Sequence, residues 1–276
     1  MTNEPTDARP RIAVLGGGVM GETLLSALLT AGWPADRVEV TEQHAPRAED
    51  LAARYGVRTG ASNAEAAARV DVVIVAVKPN VVASVLDEVK DVLRGGGLVV
   101  SVAAGLPIAG YEKRLAPGQP VVRVMPNTPA LVGKGASAIA PGTHATQEHL
   151  ELVETMLAAT GLVVRVQEKD LDAVTAISGS GPAYAFYLID AMAEAGVLLG
   201  LSRELATTLA VATVEGSAAL AAQSGDHPAV LRERVSSPGG TTVAAVQVLD
   251  AHGVRAGIVA AAEAARDRSR ELGAQH

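Results

Sequence analysis

The chain has no cysteine. A disulfide framework, a thiolate nucleophile and a cysteine-ligated metal are therefore excluded. Aromatic residues make up 2% of the 276 positions, with one Trp and one Phe. The core must be built from Val, Ile, Leu and Ala, and base-stacking platforms for nucleic acid are not expected. No basic run opposes the formal net charge of -7, which disfavours a phosphate-backbone partner. The opening stretch MTNEPTDARPRIAV is polar and lacks the apolar core of a signal peptide. The most apolar run, VVIVAV at 72–77, is strand-sized and far short of the ~20 residues of a membrane span. No His/Asp/Glu cluster has metal-ligand spacing, and no HExxH is present. These absences predict a cytoplasmic protein with no nucleic acid, membrane or metal partner.

Apolar residues at 49% and charged residues at 19% indicate a globular chain. In the first half, β-branched runs at 11–15, 37–40, 57–59, 72–77, 98–102, 121–124, 136–140 and 162–166 read as strands. Helical stretches at 19–31, 46–55, 63–68, 81–92, 108–115 and 147–159 alternate with them. That alternation predicts a Rossmann-like α/β domain with a doubly wound, mainly parallel sheet over residues 1–166. Beyond it, Ala, Leu, Glu and Arg at helical spacing predict helices at 170–177, 182–199, 203–224, 228–235, 242–252 and 254–272. Residues 167–276 thus read as an all-α domain. Several of its helices are apolar on more than one face, as in LATTLAVA at 205–212. Such helices need burial on all sides, either in a tight core of small residues or against another subunit.

Gly16, Gly18 and Gly21 stand in VLGGGVMGE, directly after a strand and at the mouth of a helix. In this context GxGxxG is a dinucleotide fingerprint. Gly16 suits the tight turn, Gly18 the approach of backbone to pyrophosphate, and Gly21 the close packing of helix on strand. Val19 and Met20 open the helix whose N–H groups face the phosphates. Glu42 ends the second strand, where a carboxylate favours a free ribose 2′-OH and opposes a 2′-phosphate. It reads equally as an acid near a helix N-terminus. Lys78 and Pro79, after Val77, leave the central strand, and Ala104 leaves the next; both turns suit a cofactor lining. The loop VMPNTP at 124–129, stiffened by two prolines, is either a positioning loop or a structural turn.

Two interruptions mark the helical half. Ser178, Gly179, Ser180, Gly181 and Pro182 predict a break or kink, with Ser180 or Gly181 capping a restarted helix. Ser237, Pro238, Gly239 and Gly240 predict a turn, with Thr241 as N-cap of a helix beginning at Thr242. Two such breaks look like halves of one pocket for a small carboxylate. Neither holds Lys, Arg, Asp, Glu or His. Without an acid or base, the chemistry suits a cofactor acting on an activated substrate, such as hydride reduction of a protonated imine; a ketone would want a proton donor.

GGGVMGE at 16–22, VKPN at 77–80, RVMPNTPA at 123–130, DAVTAISGSGPAYAF at 172–186, SSPGGTT at 236–242 and AAEAARDRSREL at 261–272 resemble the Δ1-pyrroline-5-carboxylate reductase family, in order and across the whole chain. The resemblance implies reduction of 1-pyrroline-5-carboxylate to L-proline by NADPH or NADH, the last step of proline biosynthesis. It implies a helical domain that interlocks as a dimer and assembles further into a decamer. The substrate carboxylate would sit at Gly239, Gly240 and Thr241 of a neighbouring subunit, with the 178–184 break, including Ser178, Ser180 and Gly181, completing the pocket. Asn63, Val77, Lys78 and Ala104 match positions that line the cofactor. The chain departs from many members at Gln43, where they carry a basic residue and use NADPH. It also departs at Tyr187, where some have a Thr placed to hydrogen-bond the ring nitrogen. Other readings are a different Rossmann imine or β-hydroxyacid reductase, which would keep a catalytic Lys or Asp in the helical domain, and a non-catalytic dinucleotide-binding protein, which would need no substrate pocket.

Overall fold

Residues 9–274 are described by a computed structural model. The chain opens with β1 (Ile12–Leu15), α1 (Val19–Thr30), β2 (Val38–Thr41), α2 (Ala45–Tyr55), β3 (Arg58–Gly60) and α3 (Asn63–Ala67). It continues with β4 (Val72–Val75), α4 (Pro79–Val89), β5 (Leu98–Ser101), α5 (Ile108–Arg114) and β6 (Val121–Met125). Then come β7 (Gly135–Pro141), α6 (Gln147–Leu157) and β8 (Gly161–Arg165). The strands form one sheet in the order β3-β2-β1-β4-β5-β6-β7-β8. All neighbours are parallel except β6 and β7. This is the doubly wound, mainly parallel sheet that the alternating pattern predicts.

Strands β1, β4, β5 and β6 are buried along their whole length, which is why they read as unbroken apolar runs. Side chains alternate across a strand, so each strand feeds two cores. Ile12, Val14, Ile74 and Val100 pack with Leu24 and Leu28 of α1. Ala13, Leu15, Val73, Val75 and Val99 pack with Val85 and Leu86 of α4 and with Tyr111. The sheet order reverses direction between β1 and β4. That switch point opens a crevice beyond the carboxyl ends of the strands.

After β8 the chain forms α7 (Leu171–Val174), a π-turn at Thr175–Gly179, α8 (Gly181–Leu198), α9 (Arg203–Ser224), α10 (Pro228–Arg234), α11 (Thr241–Ala251) and α12 (Val254–Ala274). The described residues divide into two compact units, residues 9–179 with 265–274, and residues 180–264. The sheet ends at Arg165, beside the expected boundary at 166. The units part later, and the last turns of α12 belong with the sheet. There Ser269 Oγ donates to Asp172 Oδ1 at 2.7 Å.

In the second unit α8 and α9 pack closely because Gly196 has no side chain. A Cβ there would lie 2.7 Å from Ala206 Cβ. Few other side chains in this unit are covered: Tyr187 is 80% exposed and Leu198 88%. By length and composition α9 alone could cross a bilayer, and α11 with α12 would do so as a bent pair. The expectation concerns the most apolar run, at 72–77, which is indeed confined to a strand region. The strand runs are short, but alanine and leucine sustain the apolar character of α9 over 22 residues.

Three local expectations are refined or revised. At 175–180 the form of the expected break is specified. A π-turn at 175–179 leads to a bend at Ser180, and a new helix restarts at Gly181 with Ser180 as its N-cap, as expected, except that the Ser180 side chain makes no capping bond. Helix α11 begins one residue early, with Gly240 as N-cap and Thr241 as its first residue. Gly239 has φ +70°, and Gly240 N–H donates to Ser237 O at 2.9 Å, so the turn closes before Thr241 can cap. The 124–129 loop runs into a 3-10 turn at Thr128–Val132, where a non-helical loop was expected; Pro129 is placed at its start, where a missing N–H costs nothing.

Candidate functional site

Gly16 has φ +105°, and a Cβ there would stand 2.8 Å from Ala76 O. No other residue type takes that turn without strain. Gly21 permits the contact of α1 with the turn, since its Cβ would lie 1.9 Å from Gly16 O. Gly18 caps α1 without a side-chain bond, and nothing lies within 4 Å of where its Cβ would be. A methyl group there would project into open space at the helix N-terminus, the place a pyrophosphate needs.

A cleft of about 320 Å³ runs from this turn past Thr41, Glu42, Gln43, Asn63, Val77 and Lys78. It carries most of the residues that the sequence assigns to the dinucleotide. Asn63 is buried and bonded on both sides. Thr41 Oγ1 donates to its Oδ1 at 2.6 Å, and its Nδ2 donates to Glu88 Oε2 at 2.8 Å. Glu42 Oε1 accepts from His44 N–H at 2.9 Å. Its Oε2 would lie 3.1 Å from a Cβ on Gly17, so the carboxylate sits against the glycine turn.

Five expected residues do not line this cleft, Gly21 among them because it packs against Gly16. Val19 is exposed at the first turn of α1, and Met20 turns inward against the core. Pro79 opens α4 at the surface. Ala104 packs instead with Ile108, Met125 and Leu171. Its loop is fixed from below. The Ser101 and Tyr111 hydroxyls are 2.5 Å apart, and Ala103 N–H donates to Ser101 Oγ at 3.3 Å. Burial pushes the Tyr111 hydroxyl pKa up, so it stays protonated and holds that bond. Glu168 Oε1 accepts from Ile108 N–H at 2.5 Å and pairs with Arg123 Nη1 at 3.3 Å.

The sequence reading missed several residues here. A Cβ on Gly17 would meet Leu51 Cδ1 at 2.7 Å; the middle glycine of GGG was the available signal. Glu88 and Ser84 come from α4, whose helical spacing places them on the cleft side. Arg47 reaches back from α2 to the glycine turn, donating from Nε to Gly17 O at 3.1 Å; no spacing rule signals that.

Ser178 lies in the π-turn, where its hydroxyl donates to Val174 O at 3.0 Å. Gly181 starts α8 with open space around its missing Cβ. Gly239, Gly240 and Thr241 form the turn and first residue of α11, leaving its leading N–H groups without helical acceptors. Tyr187 is exposed on α8, and no bond to its hydroxyl is found among the described residues. No group of three or more His, Asp or Glu residues suited to a metal occurs among the described residues.

Comparison with known proteins places these features. Residues 168–272 match the family model for pyrroline-5-carboxylate reductase dimerisation, and residues 11–105 match that for coenzyme F420-dependent NADP oxidoreductase. The pyrroline-5-carboxylate reductase of Corynebacterium melassecola is 47% identical over 95% of this chain and 98% of its own. The structure of the Coxiella burnetii reductase is 36% identical, with a TM-score of 0.90 over 95% of this chain and 98% of that one. The Plasmodium falciparum enzyme, solved with NADP bound, is 30% identical with a TM-score of 0.86 over 96% and 98%. Identity of this degree along nearly the full length of both chains makes this protein a member of the pyrroline-5-carboxylate reductase family.

Proposed function

We propose that this chain reduces 1-pyrroline-5-carboxylate to L-proline, taking hydride from NAD(P)H. The observation that carries the reading is the open glycine turn at the switch point of the sheet, joined in one chain to the SGSGPAY and SPGGTT segments. Family membership supports it over the full length.

NAD(P)H supplies the hydride when bound. The chain's residues do the rest. Gly18 and the first N–H groups of α1 would hold the pyrophosphate, and Asn63, held by Thr41 and Glu88, shapes the wall of the cleft. The N-terminus of α11, at Gly239, Gly240 and Thr241, receives the substrate carboxylate by its free N–H groups and dipole. Ser178, Ser180 and Gly181 form the other wall, contributed by a second subunit. The nitrogen of a protonated ring imine already carries its proton, so no strong acid is required of the chain. Tyr187, with its exposed hydroxyl, contributes at most orientation of the ring nitrogen.

The cleft favours NADH over NADPH. Glu42 presents a carboxylate where the adenine ribose would bind, Gln43 supplies no charge, and Arg47 is occupied elsewhere. The apolar exposure of the second unit and the dimerisation match at 168–272 support a homodimer; a decamer of such dimers is the next level of assembly. α9 is then an interface helix and not a membrane span.

Purified protein incubated with racemic substrate and NADH tests the reaction, with chiral amino-acid analysis of the product. L-proline in stoichiometric amount to NADH consumed is expected. NADH consumption without proline would refute the assignment.

A further inference from the structure

The peptide between Gly17 and Gly18 is held in one orientation by a side chain that does not face the cleft. Gly16 N–H donates to Thr41 O at 3.0 Å, and Arg47 Nε donates to Gly17 O at 3.1 Å. All peptide bonds of the described chain are trans. In a trans peptide the C=O and the next N–H point in opposite directions. With the Gly17 carbonyl drawn to α2, the Gly18 N–H is turned away from α2, and Gly18 lines the cleft.

Arg47 is itself fixed at its other nitrogens. Nη1 donates to Asp50 Oδ2 at 2.9 Å, and Nη2 pairs with Glu22 Oε2. Glu22 lies in the first turn of α1, next to the phosphate end of the helix, and its side chain is 19% exposed. It also accepts from Tyr55 Oη at 2.8 Å and pairs with Arg54 Nη2 at 2.7 Å. A bare carboxylate at that spot would oppose an incoming pyrophosphate; two guanidinium groups offset it. Burial alone would raise the Glu22 pKa, but the hydrogen bonds from Arg47 and Tyr55 outweigh it and hold the carboxyl below its ordinary range. The planar fork of Arg serves carbonyl and carboxylate together, which a lysine ammonium does not.

We propose that Arg47 is a positioning residue for the dinucleotide: by holding the Gly17 carbonyl and the Glu22 carboxylate, it turns the Gly18 N–H toward the pyrophosphate and screens that site from negative charge. It raises cofactor affinity without touching the cofactor. This rests on the reading of the cleft given under Proposed function.

The test compares Arg47→Gln, Arg47→Lys and the unaltered protein in binding NADH, ADP-ribose and adenosine, with steady-state kinetics alongside. Arg47→Gln should weaken NADH and ADP-ribose about tenfold, the effect of losing a charge-assisted bond, and leave adenosine unchanged. kcat at saturating NADH should stay within about twofold, as expected when binding alone is lost. Arg47→Lys should recover part of the affinity, and it replaces Arg47→Gln in every comparison if the latter does not fold. Unchanged NADH affinity in the variants overturns the proposal. So does an equal loss for all three ligands, which marks a merely structural role. Unaltered protein that binds neither NADH nor ADP-ribose overturns the reading of the cleft instead.

Discussion

Asn127 Nδ2 donates to the carbonyl of Ser178 at 3.1 Å, while its Oδ1 accepts from Ala136 N–H at 2.8 Å. The reason lies four residues on. In a continuing helix the Ser178 carbonyl would accept from residue 182, which is Pro182 and has no N–H. Asn127 supplies the missing donor from the loop after β6. The MPNTPA segment thus supports the SGSGP segment, and the two motifs are parts of one device. Asn127→Asp keeps the acceptor for Ala136 but sets a carboxylate against the Ser178 carbonyl. An unsatisfied or repelled buried polar group costs about 1–3 kcal/mol. We expect kcat/KM for the pyrroline substrate to fall about tenfold or more, with KM for NADH unchanged; steady-state kinetics in both substrates decide it.

Gly18 and Gly21 separate binding from folding. Gly21→Ala drives a methyl into Gly16 O, and overpacking of this kind costs about 1–3 kcal/mol or more. Gly18→Ala meets nothing within the chain. We expect Gly21→Ala to lower Tm by several degrees, about 2–4 °C per kcal/mol for a chain of this size. Gly18→Ala should leave Tm unchanged and raise KM for NADH at least tenfold. Thermal melts with kinetics on both variants check the pair. A Gly18→Ala enzyme with normal KM would remove the pyrophosphate from this turn.

Much of this was legible in the sequence, and the rest failed for physical reasons. The runs IAVL, VVIV and LVVS are apolar because both faces of the inner strands are covered, so strands and sheet class follow directly. The glycine turn was legible because strand and helix flank it. Two glycines and a proline predict the break at Ser180, but not the π-turn before it, where the distant Asn127 donates to the Ser178 carbonyl. Thr241 prefers the N-cap position in isolation, but the turn closed by Ser237 and Gly239 starts α11 a residue sooner. Arg47 is the third residue of α2, and its reach to Gly17 arises from the packing of α2 beside the glycine turn, which spacing along the chain does not encode.

Acid should weaken the fold partly through Glu22. Its pKa is lowered in the folded state, so its stabilisation is present above the ordinary carboxylate range and is lost as pH falls through the lowered folded-state value. Glu22→Gln removes that contribution. The variant should be less stable than the parent at pH 7, and the gap should narrow as pH falls toward 3. Denaturant titrations across that range measure it; a constant gap would show that Glu22 does not titrate as described.

A substrate pocket built by two subunits predicts complementation. Gly181→Trp blocks one wall and Thr241→Trp the other. Each variant alone should be inactive. Mixed and reassembled, they should form hybrid dimers with one intact pocket, recovering about a quarter of the parent activity for random pairing of two chains with two sites per dimer. No activity above background would place both segments in a pocket made by one chain.

The proposed reaction and the preference for NADH meet in a single assay, the oxidation of NADH and of NADPH, each with racemic 1-pyrroline-5-carboxylate, followed by the absorbance of the reduced nicotinamide. Substrate-dependent oxidation of both cofactors, with the larger kcat/KM for NADH, is the predicted result. Absence of substrate-dependent oxidation with either would contradict the proposed function, and a larger kcat/KM for NADPH would contradict the role given to Glu42.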